Sequence, residues 1–317
     1  MNFSALLTTI ATLFVLLIVG YVAGKIGIID GVASKRLSSL IINIAQPALI
    51  ISSIMKMRYS AENLKLGLET LLLGFGVHLF MWAIAYVACI KIKNLDERKI
   101  LEFSMVFGNT GFIGIPIMES LFGDVGAFMA SFTTASFNIL MWTLGIAILS
   151  RKRDDIKLTV KKALINKGTV PSIIGFALFM IPAFWQSFRL PTFVMTSLSY
   201  VASLCTPVSM LIIGALLAGR TAKQIFGSGK VYYLCAFKLA VIPLVVCVVM
   251  KLLGFGEMWI LFATALTCMP SATSVSMLAE LYDISPGFSA QGVGTTSLLS
   301  IATMPCVIFI AQKIIEL

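Results

Sequence analysis

Apolar residues fill the chain in runs long enough to cross a bilayer, roughly 20 residues each, and short polar stretches separate them. The runs lie near 4–24, 36–55, 64–90, 97–122 and 125–149, then near 169–185, 192–219, 229–251, 258–281 and 287–312. They predict ten transmembrane helices. A basic stretch from Arg151 to Lys167 separates the first five from the second five. The expected organisation is a first five-helix repeat over 1–150, a cytoplasmic linker over 151–167 and a second five-helix repeat over 168–317. Scaffold and transport subdomains are each expected to draw on both repeats.

Composition agrees with the pattern. Of 317 residues, 59% are hydrophobic and 12% charged, and the mean hydropathy is +0.99. A soluble domain carries roughly a quarter charged residues. An all-α polytopic membrane protein is therefore expected. Met1–Ser4 lacks the positive start of a signal peptide, so the first run is expected to remain as a helix.

The net charge is +10. The cations sit in short segments between apolar runs rather than on one folded patch, which argues for membrane orientation and against nucleic acid. With the N-terminus outside, the inside segments hold 17 Lys and Arg and the outside segments 6. That bias places both termini outside a cell membrane. The six cysteines form no C-x-x-C pair and the chain has one histidine, so neither a metal site nor a cofactor is expected.

An odd number of spans per half means that a duplicated half must insert upside down. Pro47 in the second span and Pro207 in the seventh are 160 residues apart, as are His78 in the third and Lys238 in the eighth. Gly108-Asn109 in the fourth span and Pro270-Ser271 in the ninth are 162 apart.

The fourth span reads Gly108-Asn109-Thr110-Gly111-Phe112-Ile113-Gly114-Ile115-Pro116, and the ninth carries Met269-Pro270-Ser271-Ala272-Thr273-Ser274. Gly, Pro and uncharged polar residues at mid-span predict broken helices, which a bilayer tolerates only where protein or a water-filled cavity satisfies the backbone. Two second halves would then point their positive N-termini at the membrane centre, an arrangement suited to an anion such as a carboxylate. The alternative is that the small residues serve close helix packing.

Lys238 stands near the centre of the eighth span, where a charge costs several kcal/mol. It reads as a counter-charge to an anion or a coupling group, or else as a structural lysine bonded to freed carbonyls. His78 can titrate near neutral pH and is an ion-coupling candidate. Asn109 and Asn138 are amides that need partners inside an apolar span, and Gln46 lies beside Pro47. Asp and Glu gather near span ends and in loops, such as Asp30, Glu62, Asp124 and Asp154. A coupling cation would depend on carbonyls and on hydroxyls such as Thr273, Ser274 or Thr295. No H-E-x-x-H, P-loop or paired mid-membrane aspartates occur, and no nucleophile is marked beside His78, so an enzyme is not expected.

The two crossover motifs, with Leu278-Ala279-Glu280-Leu281-Tyr282, the run Thr295-Thr296-Ser297-Leu298-Leu299-Ser300 to Pro305, and Gln46-Pro47, resemble the auxin efflux carrier family over nearly the whole chain. That family includes plant auxin carriers and bacterial malate and malonate permeases. The resemblance implies ten helices in a 5+5 inverted repeat, crossing fourth and ninth helices, elevator-type alternating access and frequent homodimers. It implies Asn109 and Asn138 as substrate-binding amides, Pro270 as the second crossover proline, Thr273 as a pocket residue and Lys238 as a basic residue of the eighth helix. Gly108 stands where plant members have Pro, the third span has His78 but no mid-span Asp, and the central stretch is short. These departures suggest a prokaryotic member.

The expected function is secondary transport of a small organic anion, such as malate or malonate, or an auxin-like acid. Asn109, Asn138, Ser271, Thr273, Lys238 and Gln46 would bind substrate. Gly108, Gly111, Pro116 and Pro270 would form the crossover, and His78, Lys238 or Thr295 would couple a proton or sodium ion. The rival readings are a sodium-coupled symporter of the bile-acid type and a non-transporting receptor with the same pocket.

Overall fold

The computed structural model describes residues 3–153, 165, 166, 168–221 and 227–317. Most of the basic central stretch, including Asp154, and Lys223 lie outside the described residues. Among the described residues the backbone is helical apart from turns, short breaks and one isolated antiparallel bridge.

Among the described residues, seven helices are long and apolar enough to cross a membrane: Leu7–Lys25, Gly31–Met55, Ala61–Cys89, Ile115–Leu149, Thr192–Ala218, Gly229–Leu252 and Pro286–Glu316. Thr169–Phe184 and Glu257–Thr267 are apolar but shorter. The fourth and ninth apolar runs fall short because each is interrupted, by non-helical residues 107–109 and 268–272. The helix from Ile115 turns sharply at Gly123, where φ is 65° and ψ is −152°. Only glycine adopts that backbone without strain, so Gly123 divides the fourth run from the fifth.

The chain forms two compact units. The first comprises Met1–Gly74, Gly111–Ile139 and Lys161–Arg220. Within it the first span lies against Cys205–Ala218, and small residues permit this close approach. A Cβ on Gly214 would stand 2.1 Å from the Leu17 carbonyl oxygen, and one on Gly20 would stand 2.3 Å from that of Leu211. Aromatic rings fill another part of this unit. Phe128 lies 5.5 Å from Phe179 and 4.9 Å from Phe132, and Tyr59 meets Phe179 edge-on.

Gly214→Val therefore drives a branched side chain into backbone. Overpacking of this kind costs about 1–3 kcal/mol or more. The thermal midpoint in detergent is expected to fall by several degrees. Gly76→Ala, where an added Cβ meets nothing within 4 Å, is expected to leave it unchanged.

The second unit comprises Phe75–Thr110, Leu140–Val160 and Thr221–Leu317. Here the helix Pro286–Glu316 packs against Gly229–Leu252, Glu257–Thr267, Thr273–Leu281 and Leu95–Val106. Asn94 starts that last helix by accepting from the N–H groups of Asp96 and Glu97, and two acids in its first turn suit the positive helix end. Glu102, one turn further in, is completely buried. Arg98 donates to it at 2.8 Å, and Arg151 grips both carboxylate oxygens at 2.9 and 2.5 Å. Both guanidinium groups lie over the Tyr86 ring. Burial of a carboxylate is tolerated because two cations compensate it.

Candidate functional site

The site grows from the two helix breaks. Leu95–Val106 ends at Phe107, which turns to extended backbone with φ −94° and ψ 102°. Glu257–Thr267 ends at Cys268, and the chain resumes helix at Thr273 after Ala272, with φ −67° and ψ 144°. Gly108 and Ser271 then pair as an antiparallel bridge. The Asn109 N–H donates to the Pro270 carbonyl at 2.7 Å, and the Ala272 N–H donates to the Phe107 carbonyl at 2.9 Å. Each break thus supplies the partner that the other lost, as an apolar surround requires.

Side chains lock the pairing. The Ser271 hydroxyl donates to the Ser104 carbonyl at 3.0 Å. The Ser271 N–H donates to the Thr296 hydroxyl at 3.2 Å, and Thr296 donates onward to Gly292 in its own helix. Thr296 and Ser104 hold the crossing: Ser104 lies outside the motifs, and Thr296 stands in the Thr295–Ser300 run without an assigned role. The signal was present as a small polar stripe, Gly292-Thr296-Ser300, at helical spacing.

Lys238 completes the site. It lies in a π-helical turn, Phe237–Val241, that packs against Leu95–Val106. The whole residue is buried, and its Nζ makes no hydrogen bond among the described residues. That Nζ stands 3.2 Å from where a Gly108 Cβ would be. The missing side chain at Gly108 is the space the ammonium uses. An ammonium removed from water without a partner is costly, and an anion beside it removes much of that cost.

Past the breaks, a π-helical turn at Thr110–Gly114 and the helix Thr273–Leu281 begin the second halves. The hydroxyls of Thr110 and Ser274, in these first turns, are buried and have no hydrogen-bond partner among the described residues. The positive start of Thr273–Leu281, two hydroxyl donors and an ammonium make this region complementary to negative charge.

The crossing brings together Gly108, Asn109, Pro270, Ser271 and Lys238. Asn109 is buried. Thr273 is half-buried at the start of its helix. His78 is 2% exposed, with its ring 6.1 Å from that of Phe107. Thr295 is buried and donates to the Gln291 carbonyl of its own helix.

Four expected residues belong to the first unit. Gly111 gives room to Gln46, whose Nε2 would stand 2.8 Å from an added Cβ. Pro116 follows the π-helical turn at Thr110–Gly114. Asn138 donates to the Thr134 carbonyl, and its amide packs against Gly168, where an added Cβ would fall 2.2 Å from Nδ2.

The membrane transport protein family matches residues 5–308. An uncharacterized transporter of Methanocaldococcus jannaschii is 27% identical over 295 residues, 90% of this chain and 92% of that protein. An uncharacterized transporter of Methanothermobacter thermautotrophicus is 22% identical over 304 residues, covering 94% and 95%. A Rhizobium meliloti protein named provisionally for malonate transport is 22% identical over 309 residues, covering 95% and 94%.

Proposed function

Since the chain belongs to the membrane transport protein family, that of the auxin efflux carriers, we propose that this membrane transporter is a secondary carrier of a small organic anion, a carboxylate of the malonate or malate class. The observation that carries the reading is the buried Lys238 ammonium beside the Gly108–Ser271 bridge. A carboxylate there pairs with Lys238, meets the N-terminus of the half-helix that starts at Thr273 and takes hydrogen bonds from Asn109 and nearby hydroxyls. Such charge-assisted bonds are about twice as strong as neutral ones. The name of the Rhizobium meliloti relative points to the same chemistry.

We further propose ten spans in a 5+5 inverted repeat, elevator-type alternating access and a homodimer. His78, buried beside Phe107 of the break, is the proposed proton-coupling group.

Counterflow in proteoliposomes tests the reading. Malonate, malate, related acids and indole-3-acetate are screened against the parent, Asn109→Ala and Lys238→Ala. One acid is expected to exchange in the parent, with both variants at least tenfold slower. Proton and sodium gradients imposed separately then identify coupling. Failure of every acid, or parental rates in both variants, refutes the assignment.

A further inference from the structure

Three spans carry a π-helical turn at one fixed distance from a proline. Ile41–Ala45 precedes Pro47, Thr110–Gly114 precedes Pro116 and Phe237–Val241 precedes Pro243, each ending two residues before the proline. Proline has no N–H to give the carbonyl four residues back, and its ring crowds that carbonyl. A widened turn relieves the crowding. The bonding is explicit at two of the turns. The residue directly before the proline donates to the carbonyl five back, Gln46 to Ile41 and Ile242 to Phe237.

In an α-helix the Ile242 N–H would bond to the Lys238 carbonyl. The bond that is made passes over Lys238 to Phe237. The turn takes in one extra residue, so the preceding helix is rotated by roughly 100° relative to a continuous α-helix. Lys238 is within this turn, with its Nζ at Gly108. Proline is neither sufficient nor required for such a turn, since Pro182 and Pro305 sit in continuous α-helix and Met141–Gly145 is π-helical with no proline after it in its helix. At Pro243, which is itself buried, the lost N–H and the widened turn coincide with the charged residue.

We propose that Pro243 is a positioning residue of the anion site, whose π-helical turn aims Lys238 at Gly108; its effect on transport rests on the reading of Lys238 as counter-charge. Restoring the N–H in Pro243→Ala lets the eighth span close into an α-helix and swings the ammonium off the crossing.

The test has a readout independent of any substrate. A Cβ at Gly108 would stand 3.2 Å from Lys238 Nζ and 3.2 Å from Met269 Cβ, so Gly108→Ala lowers the thermal midpoint in the parent. In the Pro243→Ala background that loss is expected to shrink by half or more, because the ammonium has left. In the Pro305→Ala background it is expected to stay at its parental size. A loss that is unchanged in Pro243→Ala overturns the proposal. Pro243→Ser repeats the test if Pro243→Ala does not purify as a monodisperse protein. If neither variant folds, Pro243 serves folding and the proposal is likewise overturned.

Malonate counterflow adds the functional arm. Pro243→Ala is expected to raise KM about tenfold, and to add nothing further in Lys238→Gln. A parental KM in Lys238→Gln, or a parent that does not move malonate, counts against the counter-charge reading and leaves the thermal cycle to decide the positioning role.

Discussion

Lys238→Met is expected to lower carboxylate counterflow about 100-fold or more while raising the thermal midpoint. The two effects have opposite signs for one physical reason. The Lys238 ammonium is fully buried and has no hydrogen-bond partner among the described residues. In the folded protein without substrate it is a cost, and a methionine of similar length removes that cost. Exchange of buried charge for well-packed apolar groups is often neutral or stabilising by about 1–4 kcal/mol. With substrate bound, the same ammonium is the counter-charge. Truncating one partner of a buried, hydrogen-bonded charge pair costs about 2–5 kcal/mol of binding, and a hundredfold loss corresponds to about 2.7 kcal/mol. Thermal unfolding in detergent and counterflow on one preparation check both signs. A fall in midpoint together with lost transport would make Lys238 a structural residue.

Much of the crossing is legible in the residues themselves. Gly108-Asn109 and Pro270-Ser271 are small, kinking or polar positions in otherwise apolar runs, and the helices break at these residues. Lys238 stands out because a mid-span charge is expensive. What one-dimensional pattern cannot carry is direction. Thr295 and Thr296 are adjacent, and a helix turns about 100° between them. Thr296 accepts the Ser271 N–H, whereas Thr295 bonds within its own helix.

Long-range pairing is equally hidden. Glu102 is an acid near a span end, yet it is fully buried and bonded to Arg151, 49 residues away. Nothing local announces that contact. The family resemblance implies Asn138 as a pocket amide, and in the fold its amide packs against Gly168. Such a glycine is silent in sequence until the fold supplies its neighbour. The π-helical turns are an intermediate case. Prolines follow three of them, but Met141–Gly145 has none after it in its helix, and Pro182 and Pro305 sit in regular helix.

Gly108→Val is expected to abolish transport and lower the thermal midpoint by more than Gly108→Ala does. Gly108 has three neighbours to satisfy at once. Its backbone pairs with Ser271, the Lys238 ammonium stands 3.2 Å from an added Cβ, and Met269 meets that carbon at the same distance. Alanine asks those neighbours to give by a few tenths of an ångström. Valine adds two further carbons in a buried space, and overpacking on that scale costs about 1–3 kcal/mol or more. The Ser271 hydroxyl and N–H are already committed to Ser104 and Thr296, so the crossing has little freedom to yield. Lys238 is the neighbour that can be shortened. Lys238→Ala in the Gly108→Val background is therefore expected to recover part of the lost midpoint without recovering counterflow. Coupling of this kind between touching residues amounts to about 0.5–3 kcal/mol. Strict additivity of the two midpoint changes would mean that the ammonium does not occupy the space at Gly108. Recovered counterflow in the double variant would mean that the crossing's shape, rather than its charge, selects the substrate.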